Sequence, residues 1–132
     1  MRGPATDDEL NELFAASWPG RHSSVDFTGI HARSLTWVVA RNAEDEPVGY
    51  VNVATDGGAH AFLLDTTVHP DQRLAGLGRR LVLEAVEDAR ARGAAWLHVD
   101  YEPHLEGFYR SCGFRPTAAG LLRLDEEVAN TA

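Results

Sequence analysis

LLDTTVHPDQRLAGLGRR, residues 63–80, is the stretch whose reading decides the fold. With Phe62 in front of it, the run to Val68 is apolar and β-branched, with the length of a buried strand. Pro70 has no amide hydrogen for a ladder, so the strand stops near His69. Then come Arg73, Gly76 and Gly78, and an amphipathic run from Leu77 to Arg92. A strand, a glycine turn and a helix in that order make a phosphate site. Gly76 and Gly78 let the backbone approach an anion with no Cβ in the way. The first helical amides have no partner within the helix, point at the anion, and are helped by the helix dipole. Arg73, Arg79 and Arg80 add positive charge around the same turn.

Three phosphate-binding readings compete. A P-loop needs Gly-Lys-Ser/Thr, and the chain contains no lysine. A dinucleotide fingerprint needs a third Gly or Ala where Leu81 stands, and further βαβ units that do not follow. The third fits: Arg73-Leu74-Ala75-Gly76-Leu77-Gly78 resembles motif A, Arg/Gln-x-x-Gly-x-Gly/Ala, of the GCN5-related N-acetyltransferases. The resemblance implies that the turn from Arg73 to Arg79 holds the pyrophosphate of acetyl-CoA. It also implies that the amides near Thr66, Thr67 and Val68 face the thioester carbonyl and pantetheine.

A second motif lies downstream. Leu105, Phe108, Tyr109 and Cys112 share a helical stripe that Gly113 closes. On packing alone this is a core-facing helix. With motif A it resembles the family ending Phe-Tyr-x-x-x-Gly-Phe, present as Phe108-Tyr109-Arg110-Ser111-Cys112-Gly113-Phe114. The resemblance covers about Trp37 to Leu124. It implies an α/β (α+β) fold: a mixed, mostly antiparallel central sheet, helices on both faces, and a splayed parallel pair at the cofactor site. Two departures stand out. No strand is legible ahead of the first helix. Where many members carry an Asn that contacts pantetheine, this chain has Glu102, followed by Pro103.

The remaining elements fit that plan. Thr6 and Glu9 have capping-box spacing, Leu10, Leu13, Phe14 and Trp18 follow at helical intervals, and Pro19-Gly20 ends the helix. Arg21 to Arg33 is ambiguous between a loop and a short helix. Phe27, Ile30 and His31 there are candidates for lining a substrate pocket, although packing onto the sheet is the commoner fate of such residues. Strands are predicted at Ser34–Ala40, Val48–Thr55, Ala61–Val68 and Trp96–Tyr101; the resemblance implies a last hairpin, over Gly113–Ala118 and Gly120–Asp125. The order strand, helix, strand around motif A implies a parallel crossover beside the antiparallel strands.

At 132 residues the chain suits a single domain with its own core. A net charge of −8 argues against general nucleic-acid affinity and agrees with an amine substrate, small or peptidic. No stretch is long and apolar enough to span a membrane, and no leader is visible, so a cytoplasmic location is expected. Cys112 is the only cysteine, which fits a reducing compartment. All twelve basic residues are arginine, a composition that suits a GC-rich, bacterial genome. The terminal hairpin offers an edge that suits a homodimer.

Acyl transfer from a thioester to an amine needs a base for the amine, donors for the developing oxyanion, and an acid for the leaving thiolate. The resemblance makes Tyr109 the acid. Asp65, on the key strand and the same face as Thr67 by alternation, is the best-placed base, with His60, His98, Asp100 and Glu102 as further candidates. Cys112 precedes a helix-ending glycine and reads as a buried, inert thiol. Two rival readings remain. One is a non-catalytic acyl-CoA-binding member of the same fold. The other is a metal enzyme similar to the vicinal-oxygen-chelate group, using His98, Asp100, Glu102 and His104 at alternate positions. Four ligands along one strand span too far for one ion, and that reading leaves the arginine-glycine turn unused; no metal is expected.

Overall fold

The structure, a computed structural model, describes residues 5–18, 20, 23–73 and 76–125. The chain divides into two compact units, Met1–Val99 and Asp100–Ala132.

The first unit opens with helix α1, Asp7–Ser17. The capping box is formed in both directions: Glu9 N donates to Thr6 Oγ1 at 3.1 Å and Thr6 N to Glu9 Oε1 at 3.0 Å. The ambiguous segment contains one short helix, α2, Phe27–His31, capped by Asp26, whose Oδ1 accepts from Gly29 N. Side chains of α1 tie it down. Asn11 exchanges two bonds with the Val25 backbone, and Asp7 Oδ1 accepts from both Thr28 N and Thr28 Oγ1.

Strands β1 (Ser34–Arg41), β2 (Pro47–Thr55), β3 (His60–Val68) and β4 (Trp96–His98) form one sheet in the order β1-β2-β3-β4. The first two pairings are antiparallel and β3–β4 is parallel, as helix α3 (Leu77–Ala91) between them requires. Among the described residues no strand precedes α1.

The two faces are read from β2. A Cβ at Gly49 would lie 2.7 Å from Leu81 Cδ1 and 3.3 Å from Leu77 Cδ2, so this face carries α3. Tyr50 points the other way, into a cluster with Leu10, Leu13, Phe27 and Val39, which belongs to α1, α2 and β1. Helices therefore cover both faces. Phe27 is fully buried, with edge-on contacts to Phe14 and Tyr50. Ile30 packs on the same cluster and His31 stacks on Trp37 at 3.9 Å, so packing is what these three residues do.

Two expectations are corrected. The strand predicted over Trp96–Tyr101 ends at His98; Pro103, which has no ladder donor, starts a 3₁₀ turn through Leu105. The terminal hairpin is absent among the described residues: 114–123 is irregular, with Leu121 87% and Leu124 86% exposed. Its residues, Pro116-Thr-Ala-Ala-Gly120-Leu-Leu, carry neither alternation nor β-branched side chains beyond one Thr. The edge on which a homodimer was expected is thus not formed.

In the second unit the 3₁₀ turn leads into helix α4, Glu106–Ser111. Gly113, at φ +101°, closes it, with Gly113 N and Phe114 N bonded to the carbonyls of Arg110 and Tyr109.

Candidate active site

Strand β3 is regular at its start and irregular at its end. Its pairing with β4 covers His60, Ala61 and Phe62 only, so from Leu63 to Val68 that edge has no ladder partner among the described residues. On the other side Asn52 pairs with Leu64 and Tyr50 with Thr67, so two residues of β3, Asp65 and Thr66, lie opposite one of β2, Val51. This is a β-bulge, and Asp65 within it has φ +58°, a left-handed conformation that Asp tolerates better than most residues. The bulge corrects the simple alternation that set Asp65 beside Thr67. Thr67 is fully buried on the α1 side, whereas Asp65 is exposed.

The bulge is held from α1. Trp18 Nε1, at the α1 C-cap, donates to Thr67 Oγ1 at 3.3 Å, and Thr67 Oγ1 donates to the Asp65 carbonyl at 2.9 Å. Arg73 joins the same two elements: Nη2 donates to the Ser17 carbonyl at 2.6 Å and Nε to the Val68 carbonyl at 3.2 Å. The arginine expected at a pyrophosphate thus fastens the end of β3 to the end of α1, its charge fixed beside the turn. From sequence Trp18 reads only as an apolar residue at helical spacing in α1; its site partner lies 49 residues away.

Beyond Pro70–Gln72, a 3₁₀ turn, the chain reaches Gly76, the N-cap of α3. Leu74 and Ala75, both expected at the cofactor, lie outside the described residues. Gly76 has φ +78°, and among the described residues no side chain caps the helix and nothing stands within 4 Å of where a Cβ would project. The first amides of a fifteen-residue helix have no intrahelical partners, and a left-handed glycine with no Cβ precedes them, an arrangement that suits a diphosphate. Leu77 itself is buried under the sheet; Gly78 is half-buried and Arg79 exposed.

A buried tyrosine and a half-buried histidine stand behind the bulge. Tyr50, paired with Thr67 across the ladder, bonds His31 Nε2 through its hydroxyl at 2.7 Å. Burial, then the charge of Asp65, pushes the Tyr50 hydroxyl far above its ordinary range. Asp65 remains exposed at its rim, yet the protein around it desolvates its carboxyl and raises its pKa. A carboxylate raised toward neutrality is a better base than an ordinary one.

Of the other candidate bases, His60 and His98 are brought together across β3–β4, with Nδ1 and Nε2 2.7 Å apart. Asp100, Glu102 and His104 belong to the second unit. The alternate-position argument for a metal set fails because residues 99–104 are not a strand. Within the second unit Tyr109 is buried, stacked on Tyr101 at 4.9 Å and edge-on to Phe108 and Phe114. Cys112 is buried too, and Glu102 caps the 3₁₀ turn at Pro103.

Comparison with known proteins agrees with this architecture. The family model described as "Acetyltransferase (GNAT) family" matches residues 4–114. Serotonin N-acetyltransferase 2, chloroplastic, of Oryza sativa subsp. japonica is 32% identical over 108 residues, covering 80% of this chain and 54% of that protein. The chain spans about half the length of the curated relatives it matches. Among solved structures, a GNAT-family acetyltransferase of Streptococcus pneumoniae TIGR4 superposes with a TM-score of 0.72 at 23% identity, covering 94% of both chains. Glucosamine-6-phosphate N-acetyltransferase of Arabidopsis thaliana does so with a TM-score of 0.66 at 16% identity, covering 76% of this chain and 74% of that one. At these identities the structural matches speak for the fold.

Proposed function

This chain belongs to the acetyltransferase (GNAT) family, and from that premise we propose that it moves an acetyl group from acetyl-CoA to a small primary amine, with both bound at once. One observation carries the reading: a bulged strand with one edge open is followed, after the 3₁₀ turn, by a left-handed glycine at an α3 N-terminus that no side chain caps among the described residues. Acetyl-CoA supplies the activated thioester and the diphosphate handle. The amides of Leu77, Gly78 and Arg79, opened by Gly76, bind the diphosphate, and Arg73 holds positive charge nearby. The amides of Thr66, Thr67 and Val68 at the open end of β3 orient the carbonyl and donate to its oxygen as negative charge develops. Asp65 takes the proton released by the amine. The family resemblance gives the part of acid to the Tyr109 hydroxyl, whose proton goes to the departing sulfur, so that the new C–N bond and the broken C–S bond balance. The relatives named for serotonin and for glucosamine 6-phosphate both support a small primary amine as acceptor.

The test is acetyl-CoA binding followed by thiol release with an amine panel that includes both of those compounds. Saturable release with an acetylated product seen by mass spectrometry supports the reading. Binding without turnover on any amine supports a non-catalytic acyl-CoA-binding module instead. Absence of binding at millimolar acetyl-CoA overturns both. In an active enzyme, Tyr109→Phe should lower kcat by about 10- to 10³-fold with little change in acetyl-CoA affinity.

A further inference from the structure

We propose that His60 and His98 bind a divalent transition-metal ion that staples the short strand β4 to β3. Strand β4 has three residues, and its ladder ends where Phe62 meets His98. His60 Nδ1 and His98 Nε2 stand 2.7 Å apart across that ladder, with ring centroids at 5.0 Å. Phe62 stacks on His98 at 4.9 Å with 19° between the planes, which orders the second imidazole. Neither ring has a part in the acetyl-transfer reading.

Two neutral imidazoles at this distance share one proton. An ion takes its place when the donor ring moves that proton to its outer nitrogen, so both inner lone pairs face the metal with no net proton release. Imidazole nitrogens on tetrahedral zinc sit about 2.0–2.1 Å from the ion, so the rings need part by only about half an ångström. A carboxylate stands beside the pair: Asp56 Oδ1 accepts from Gly58 N at 2.7 Å and from His60 N at 3.4 Å, which keeps an acidic side chain next to the first imidazole. Among the described residues no third His, Cys, Asp or Glu converges on the pair, so water completes the shell. This is an open, exchangeable site, and an imidazole pair suits Zn²⁺, Cu²⁺ or Ni²⁺.

The test uses the full chain without a histidine tag. Zn²⁺ alone, titrated by calorimetry, should bind one ion per chain and raise the unfolding temperature. His60→Gln and His98→Gln should each lower the affinity at least about tenfold, the minimum expected when even an outer partner of a metal site is lost. His104→Gln should leave it unchanged. Cu²⁺ added to the unsubstituted chain should show coupling to two nitrogens by electron paramagnetic resonance, a readout that does not depend on how the variants fold. Equal affinity in all variants, no binding at millimolar Zn²⁺, or coupling to fewer than two nitrogens would overturn the proposal. None of these readouts involves acetyl transfer.

Discussion

At its His60 end strand β3 has a neighbour on both sides; at its Val68 end it has one among the described residues, and between Leu64 and Thr67 it carries an extra residue. The first end is ordinary sheet, with Ala61 and Leu63 buried against the α3 face. The second holds a left-handed Asp, an unladdered edge and a glycine turn. Backbone donors used up in a ladder cannot hold a ligand, and strained geometry persists only where neighbours enforce it. The Trp18–Thr67–Asp65 chain and the Arg73 bridge are that enforcement. In the proposed reading the same strand is scaffold at one end and site at the other.

The hardest test of this contrast is Asp65→Asn. Asn tolerates the left-handed backbone, so the bulge should survive while the base is lost. We expect kcat to fall by about 10²- to 10⁴-fold, the span of general acid–base effects, with no loss of stability because a desolvated charge is removed. Stopped-flow thiol release with a primary amine measures it. An unchanged kcat would remove Asp65 from the chemistry. Asp65→Gly, which relieves the positive φ, should add about 0.5–1 kcal/mol to the unfolding free energy while being equally slow.

The two glycines Gly76 and Gly49 sharpen the contrast. Gly76→Val places a branched side chain at φ +78° in the open space before α3. Acetyl-CoA affinity should fall by on the order of 100-fold, from the blocked approach of the diphosphate, while the fold loses about 1–2 kcal/mol. Gly49→Ala meets Leu81 at 2.7 Å inside the packed layer. It should cost about 1–3 kcal/mol of stability and leave affinity per folded molecule unchanged. Isothermal titration beside urea unfolding separates the two. If both variants lose affinity equally, the glycine turn is not a separate site.

A smaller effect is expected at Thr67, which joins the two sides of the bulge. Thr67→Val keeps the shape and removes the hydroxyl that accepts from Trp18 and donates to Asp65. The loss should be about 1 kcal/mol, and kcat should fall more than the folded fraction does, since the bulge loses its pin. A kcat that tracks the folded fraction alone would make Thr67 ordinary core.

What was legible follows from the range of the interactions. The capping box at Thr6 and Glu9, the polar turn at Asn42 and the glycine turn at Gly76 are local, and each is set by residues within a few positions. The helix-period stripe of α3 was equally plain, since Leu77, Leu81, Val82, Ala85 and Ala89 are all buried. The bulge was hidden because strand patterning assumes strict alternation, and one extra residue in a run such as Leu-Leu-Asp-Thr-Thr leaves no mark on composition. Arg73 looked like an anion ligand because its bonds to Ser17 and Val68 depend on how α1 ends. The terminal hairpin was expected from the family plan rather than from its residues, and its residues do not form it.

The last test concerns the pair behind the site end of β3. His31 bonds the Tyr50 hydroxyl and stacks on Trp37, and burial lowers its pKa against the opposing charge of Asp7. The unfolded chain therefore binds a proton at His31 before the native state does. Stability is full above the unfolded value, about 6.5, and falls as pH drops from there through the lower native value. Other groups titrate too. Glu9, whose pKa is lowered to about 2 first by its bond to Arg41, loses its contribution only as pH falls from about 4.5 toward that value. Asp65, with its pKa raised, has the opposite sign: the native state takes up its proton first, which adds stability as pH falls through the native value. An Asp65→Asn background removes that opposing slope. In it, urea midpoints between pH 7.5 and pH 5 should decline, and adding His31→Gln should flatten them. A slope that survives His31→Gln in this background would mean that the Tyr50–His31 pair does not set the pH dependence and that groups outside this end of β3 do.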